Sequence, residues 1–151
     1  MSTIGSPRML AIAIGACATQ MLAPTVLAQG ELVELTVEIY GIEAPAGAVA
    51  IAIFDDPARY EARQHPVARR ILPVSGDSLA WKVMLPAHTQ YAVMAYHDVN
   101  GNGEIDIGRF GIPREPYGFS NDARSPLGPP RFAAAGFEIA AEAAAIQIRV
   151  K

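Results

Sequence analysis

The sequence predicts an all-β protein that folds as a single antiparallel β-sandwich of about seven strands. Apolar and polar residues alternate in short segments, which is typical of half-buried strands. Turn-forming residues separate these segments at regular intervals, as they do in sandwiches. One long irregular loop, residues 98–131, is expected between the late strands because neither pattern occurs there.

The first two segments are the clearest strands. Residues 31–40 place apolar side chains on one face and Glu or Thr on the other. After a turn at residues 44–47, larger apolar residues alternate with alanines in residues 49–54. We expect these two strands to pair as a hairpin. Residues 55–66 are polar and rich in turn formers, and are expected to form a loop or a short helix.

Five more strands are expected, three in the middle of the chain and two at its end. They cover residues 68–74, 79–85, 91–97, 132–139 and 144–150. The alanine-rich residues 140–145 could instead be helical, because alanine has the highest helix propensity. The sequence leaves that alternative open.

The N-terminal residues have the pattern of a signal peptide. A basic residue precedes an apolar run, and Val26 and Ala28 suit cleavage after Ala28. We therefore expect a signal peptide at residues 1–28, a domain at residues 29–151, and an exported protein, periplasmic or extracellular. The alternative is a lipoprotein acylated on Cys17, but apolar residues follow this cysteine where a polar tether is usual. No later apolar run approaches the roughly 20 residues of a membrane-spanning helix, so no transmembrane span is expected in the mature chain.

The charge balance bears on the partners of the protein. The chain has 12 Lys and Arg residues against 15 Asp and Glu, a formal net charge of −3. Cleavage after residue 28 would remove Arg8 and no acidic residue, which makes the mature chain more acidic. No nucleic-acid partner is expected, because phosphate binding requires a basic surface.

A loop suited to a hard cation follows the fifth predicted strand. Oxygen-bearing residues recur at alternate positions around Gly103, with the spacing of helix-flanked calcium loops. The expected ligands are Asp98, Asn100, Asn102, Glu104 through its backbone carbonyl, and Asp106. Arg109 stands where a glutamate normally closes such a site, so we expect weak, structural calcium binding and no other cofactor. The alternative is a bare turn, because Asn-Gly pairs favour tight turns.

Residues 111–121 contain a second candidate site. Prolines restrict the backbone there, which suits a loop held in one shape for recognition. The candidate ligand contacts are Arg114, Glu115, Tyr117, Phe119 and Asn121. The alternative is that Tyr117 and Phe119 only cover the open end of the sandwich.

Four motifs from residue 91 to residue 132 resemble those of a known family. They read Tyr91-Ala92-Val93, His97-Asp98-x-Asn100-x-Asn102-Gly103-x-x-Asp106, Gly111-Ile112-Pro113-x-Glu115-x-Tyr117-Gly118-Phe119-Ser120-Asn121 and Gly128-Pro129-Pro130-x-Phe132. Over residues 32–150 the chain is similar to the bacterial family of domain of unknown function 2141, although His88 stands where that family commonly has glycine. The resemblance implies an exported, single-domain β protein and brings no catalytic residues. On fold-level analogy alone, the sandwich is prealbumin-like or Ig-like.

Three functions are compatible with these features. The expected one is a non-enzymatic binding or interaction module with a calcium-type loop at residues 98–106, which recognises a protein, glycan or envelope component. The second is a periplasmic hydrolase that uses His97 with Asp98, Glu115 or Ser120. A hydrolase needs a nucleophile, a base and an orienting group within hydrogen-bond reach, and sequence proximity does not supply this. The third is a purely structural envelope domain.

Overall fold

A computed structural model describes residues 30–151, which form eight strands, two short α-helices and two 3₁₀ turns at Arg109–Gly111 and Ser120–Asp122. The strands are β1 (Leu32–Tyr40), β2 (Ala48–Phe54), β3 (Ala68–Pro73), β4 (Ser78–Pro86), β5 (Thr89–Asp98), β6 (Tyr117–Phe119), β7 (Phe137–Ile139) and β8 (Ala144–Arg149). The helices are α1 (Pro57–Ala62) and α2 (Phe132–Ala135). The expected signal peptide, residues 1–28, and Cys17 lie outside the described residues. No helix within residues 30–151 has the length and apolar character needed to cross a membrane.

The strands form two sheets, so the prediction of a mostly β protein is confirmed. The smaller sheet has the order β4-β1-β8, and the larger has the order β3-β2-β5-β6, with β7 also pairing with β5. Inward side chains of both sheets share one apolar core, in which Leu35, Val37, Ile51 and Val93 are fully buried. Strict alternation along β1 produces this packing, because every second side chain of a strand faces the same side.

The expected hairpin between the first two strands is wrong, because β1 and β2 lie in different sheets. β1 pairs with β4 and β8, whereas β2 pairs with β3 and β5. Both strands are apolar on one face, and facing each other across the core buries both faces at once. The connecting turn is held at the end of β5, where Gly47 has a φ of 74° and a Cβ would overlap the Asp98 carbonyl oxygen.

The expectation of purely antiparallel strands is also wrong, because β8 runs parallel to β1. The backbone N–H of His88 donates to the carbonyl of Ile139, and that of Ala87 donates to the carbonyl of Glu31. These two bonds place the end of β7 beside the start of β1. The chain therefore enters the smaller sheet at the same end as β1 and continues in the same direction. His88, at the position where glycine is common in the family, has a φ of 55°, a region that glycine enters without strain.

A second apolar cluster covers part of the outer face of the larger sheet. Tyr60 of α1 packs edge-on against Phe54 and Phe132, with ring centroids 5.7 Å apart in both pairs. The short helix expected in residues 55–66 is present, and the Asp56 carboxylate caps it by accepting from the Arg59 N–H at 2.9 Å.

Two features of the later half differ from those expected from the sequence, and one alternative left open there is decided. Residues 132–135 are helical rather than extended, because one turn brings both Phe132 and Ala135 into the second cluster. The alanine-rich residues 140–145 are not helical, and β8 begins at Ala144. The predicted irregular loop contains β6, a strand in addition to the seven predicted, so the irregular segment is shorter than expected.

Candidate functional site

Asp98 organises the loop that follows β5. Its buried carboxylate accepts from the backbone N–H groups of Gly101 at 2.7 Å and Asn102 at 3.1 Å through Oδ1. Oδ2 accepts from the N–H of Gly103 at 2.7 Å. Three backbone donors are satisfied by one side chain, which fixes the first turn of the loop.

The other predicted ligands converge on Asp106. Asn100 Nδ2 donates to Oδ2 of Asp106 at 2.7 Å, and Asn102 Nδ2 donates to Oδ1 at 3.1 Å. Glu104 is exposed, and its backbone N–H donates to Asn102 Oδ1 at 2.9 Å. The structure therefore brings Asp98, Asn100, Asn102 and Asp106 into one loop. Within residues 30–151, no group of three or more His, Cys, Asp or Glu side chains is placed to hold a metal ion, and calcium binding stays a prediction.

Glu115 folds back and closes the base of this loop. It is buried, and its two oxygens accept from the backbone N–H groups of Val99 and Asp106, both at 3.1 Å. The backbone of Arg114 adds a bond to the Asp106 carbonyl at 2.8 Å. Residues 98–106 and residues 114–115 are thus held as one unit by a carboxylate that the sequence suggested as a ligand contact.

The remaining predicted contact residues differ in exposure. Arg114 is exposed, Tyr117 is half-buried, and Phe119 is buried in the second apolar cluster. Asn121 donates to the carbonyl of Gly136 at 2.7 Å and so joins the segment after β6 to the end of α2. Tyr117 and Phe119 share a face, because their partners on β5 are Tyr96 and Met94.

Ser120 and His97 of the alternative hydrolase lie in separate places. The Ser120 hydroxyl donates to the Ala135 carbonyl at 2.6 Å and accepts from the Val93 N–H at 2.9 Å. Val93 precedes His97 by four strand residues, roughly 13 Å at the rise of a strand. His97 is fully buried, and Nε2 donates to the Ala46 carbonyl at 2.7 Å. The structure does not bring Ser120 and His97 together, and the hydrolase stays a prediction.

A cavity of about 680 Å³ lies on the outer face of the larger sheet, and we call it the sheet pocket. Its floor is formed by residues paired across four strands. One row is Arg69, Ala52, Met94 and Phe119, and the next includes Ala50, Tyr96 and Tyr117. The alanines of β2 create the space, because the large side chains of that strand face the core and the small ones face outward.

Two segments of residues 98–131, the region predicted to be an irregular loop, form walls of the sheet pocket. Ile105, Ile107 and Ile112 line one side, and Leu127 with its neighbouring prolines lines another. Ile112 is 62% exposed and Leu127 is 90% exposed, so the rim is apolar and open to solvent. Arg63, which follows α1, completes the lining beside Pro66.

Tyr96 connects the pocket to the calcium-type loop. Its hydroxyl donates to the Gly103 carbonyl at 3.1 Å, while its ring lies on the pocket floor. Burial raises the pKa of Tyr96, and the positive charge of the nearby Arg69 acts in the opposite direction. A change in the conformation of residues 98–106 would therefore act directly on the floor and the Ile105 wall.

The sequence predictions did not include the sheet pocket. The one signal for it is the alternation of alanine with larger apolar residues in β2, a pattern that by itself predicts a strand and not a cavity. Arg63 and Arg69 carry no motif; Arg69 becomes a neighbour of the pocket through its pairing with Ala52, and Arg63 through its position at the end of α1.

Comparisons with known proteins bear on identity. Neither the curated proteins nor the solved structures contain a match to this chain. A protein-family comparison matches residues 37–147, which include all eight described strands in whole or in part and the entire calcium-type loop. This match covers well over half of the sequence and confirms the family expected from the motifs. The chain therefore belongs to the family described as uncharacterized protein conserved in bacteria (DUF2141).

Proposed function

We propose that the protein is an exported, non-enzymatic β-sandwich module that binds a small apolar ligand in the sheet pocket. The observation that carries this proposal is a cavity of about 680 Å³ with a predominantly apolar lining. Its volume lies within the roughly 300–1,000 Å³ typical of ligand sites.

The position of the pocket on paired strands supports a binding function. Ala52, Met94 and Phe119 belong to three strands whose backbones are hydrogen-bonded to each other, so the floor is rigid. A rigid site loses less conformational entropy on binding than a mobile one. The exposed apolar side chains at the rim, Ile107, Ile112 and Leu127, also favour a ligand or partner surface.

We further propose that the calcium-type loop, residues 98–106, is a support for the pocket wall. Asp98 and Glu115 fix its backbone, and Ile105 and Ile107 at its end line the pocket. A calcium ion bound there would be structural and weak, with a Kd of about 10⁻⁴ to 10⁻³ M, as in extracellular modules.

The calcium part is tested by thermal unfolding of the mature domain. At a calcium concentration about five times a millimolar Kd, the free energy of unfolding should rise by about 1 kcal/mol. A domain of this size should then unfold about 3–6 °C higher. Asp106→Asn should abolish the rise. Asp122→Asn, at an exposed position outside the loop, is the control and should keep the full rise; no shift in the wild type would reject the ion.

The pocket is tested with Nile red, a neutral dye whose fluorescence increases in apolar surroundings. We expect saturable binding to the wild type and loss of binding in Ala52→Trp, because the indole would fill the space above β2. Ala80→Trp is the matched control, since Ala80 is an exposed alanine of β4 in the other sheet.

Ile112→Ser is a second variant for the same test. Its side chain is exposed, so folding should be unaffected while the apolar rim is weakened. Binding by Ala52→Trp equal to that of the wild type, in a folded protein, would contradict the proposed site. Absence of dye binding by the wild type would contradict the proposed function.

A further inference from the structure

We propose that the ligand of the sheet pocket is an amphipathic carboxylate, with its apolar body on the sheet and its anionic group beside Arg69 and Arg63. This inference rests on the proposed function, and concerns the chemical class of the ligand. It follows from the charges that line the pocket.

The lining of the pocket has the opposite charge to the whole chain. The sequence has 15 acidic residues against 12 basic ones, yet the charged residues that line the pocket are both arginines, Arg63 and Arg69. No lining residue is a carboxylate. An anion in this position meets favourable charge and no repulsion from the walls.

Neither arginine is neutralised by the described part of the protein. Within residues 30–151, the ion pairs join Arg59 to Asp55, Lys82 to Glu34 and Arg124 to Asp122. Arg63 and Arg69 form no ion pair with an acid in that part of the chain. A planar guanidinium without an acidic partner keeps donors that match the two oxygens of a carboxylate.

The position of Arg69 puts its positive charge beside the apolar floor of the sheet pocket. It is opposite Ala52 in the β2–β3 pairing, and Ala52 is opposite Met94 in the β2–β5 pairing. The short alanine side chain leaves the space between the guanidinium and Met94 open, and Tyr96 lies near Arg69 in the next row. A ligand with its head at Arg69 would extend its apolar part over Met94 and Phe119 toward the rim.

The test compares decanoate with decanol, which share an apolar chain and differ in the head group. Each is measured by displacement of Nile red below its micelle concentration. We expect decanoate to bind the wild type about tenfold more tightly than decanol, and the preference to fall with added salt because the attraction is electrostatic. Decyltrimethylammonium, a cation, should bind more weakly than decanol.

Arg69→Gln should remove most of the preference for decanoate while leaving the affinity for decanol within about twofold of the wild type. Arg70→Gln is the matched control, because Arg70 is the exposed neighbour on the same strand and does not line the pocket. Retention of the full preference in Arg69→Gln would place the anion elsewhere and overturn the assignment.

The remaining outcomes separate the two proposals. Equal binding of decanoate and decanol by the wild type would overturn the carboxylate proposal and leave an apolar-ligand pocket standing. If Nile red itself does not bind to the wild type, so that there is no dye for either compound to displace, both proposals are overturned. Preference for decyl phosphate over decanoate would replace the carboxylate by a phosphate head group.

Discussion

Tyr60 and Tyr91 are two buried tyrosines that differ in how their hydroxyls are bonded. The Tyr91 hydroxyl donates to the Pro86 carbonyl at 3.0 Å, whereas the Tyr60 hydroxyl has no hydrogen-bond partner among the described residues. Tyr60→Phe should therefore raise the free energy of unfolding by about 1 kcal/mol, because a buried unsatisfied group is removed. Tyr91→Phe should lower it by about 1 kcal/mol, because a bond is lost. Urea unfolding of the two variants measures both; destabilisation of equal size would contradict this interpretation.

Tyr60 also makes the free energy of unfolding depend on pH under alkaline conditions. Burial raises the pKa of Tyr60 from 10.0 to about 12 in the folded protein. The unfolded chain therefore loses this proton first, and the folded state loses stability as the pH rises from about 10 to about 12. We expect the urea midpoint to fall across this range in the wild type and to fall less steeply in Tyr60→Phe. Identical slopes would show that Tyr60 does not retain its proton in the fold.

At the scale of elements, Glu115 joins residues 114–115 to the loop of residues 98–106 through side-chain hydrogen bonds. Its carboxylate accepts from Val99 and Asp106, and an amide in its place has only one oxygen to offer. Glu115→Gln should lower the free energy of unfolding by about 1–3 kcal/mol and speed hydrogen exchange at one of those two N–H groups. Glu104→Gln, at an exposed position, is the control and should change stability little. Unchanged exchange in Glu115→Gln would mean that the loop holds its shape without this residue.

Elements with strong periodicity were predictable from the sequence, and those made by distant contacts were not. β1 and β4 appear in the sequence as alternating segments and pair over nine residues. β6 contains only Tyr117, Gly118 and Phe119, too short a segment for a period to be recognised. Its pairing with Met94–Tyr96 depends on the fold of the whole intervening loop, which no local pattern encodes.

The candidate sites were likewise predictable only where their residues lie close together in the sequence. Asp98, Asn100, Asn102 and Asp106 were identified together because they are close in sequence. The sheet pocket combines residues from four strands and three connecting segments, so its existence depends on strand order and register. The sequence predicts the wrong strand order, because it predicts a hairpin of β1 and β2, which lie in different sheets.

At the scale of the whole molecule, Gly118 allows β6 of the larger sheet to approach β8 of the smaller sheet closely. A Cβ there would overlap the Arg149 carbonyl oxygen and lie 2.7 Å from Cγ2 of Ile148, both on β8. Gly118→Ala should therefore separate β6 from β8 and lower the free energy of unfolding by about 2–3 kcal/mol. Gly76→Ala is the control, because its nearest atom would be at an ordinary 3.9 Å. Thermal unfolding compares the two; a Gly118→Ala protein as stable as Gly76→Ala would show that the contact is easily relaxed.

The parallel pairing of β8 with β1 also determines when the protein can fold during its synthesis. β1 is the central strand of the smaller sheet, and its neighbour at Leu35 is Ala144, near the opposite end of the sequence. A nascent chain that lacks β8 leaves an unpaired edge on β1, and closing so long a loop is entropically slow. Completion of the domain must therefore wait until β8 has left the ribosome. For a protein that we propose is exported, this delay keeps the chain in the unfolded form that can be threaded through a translocation channel.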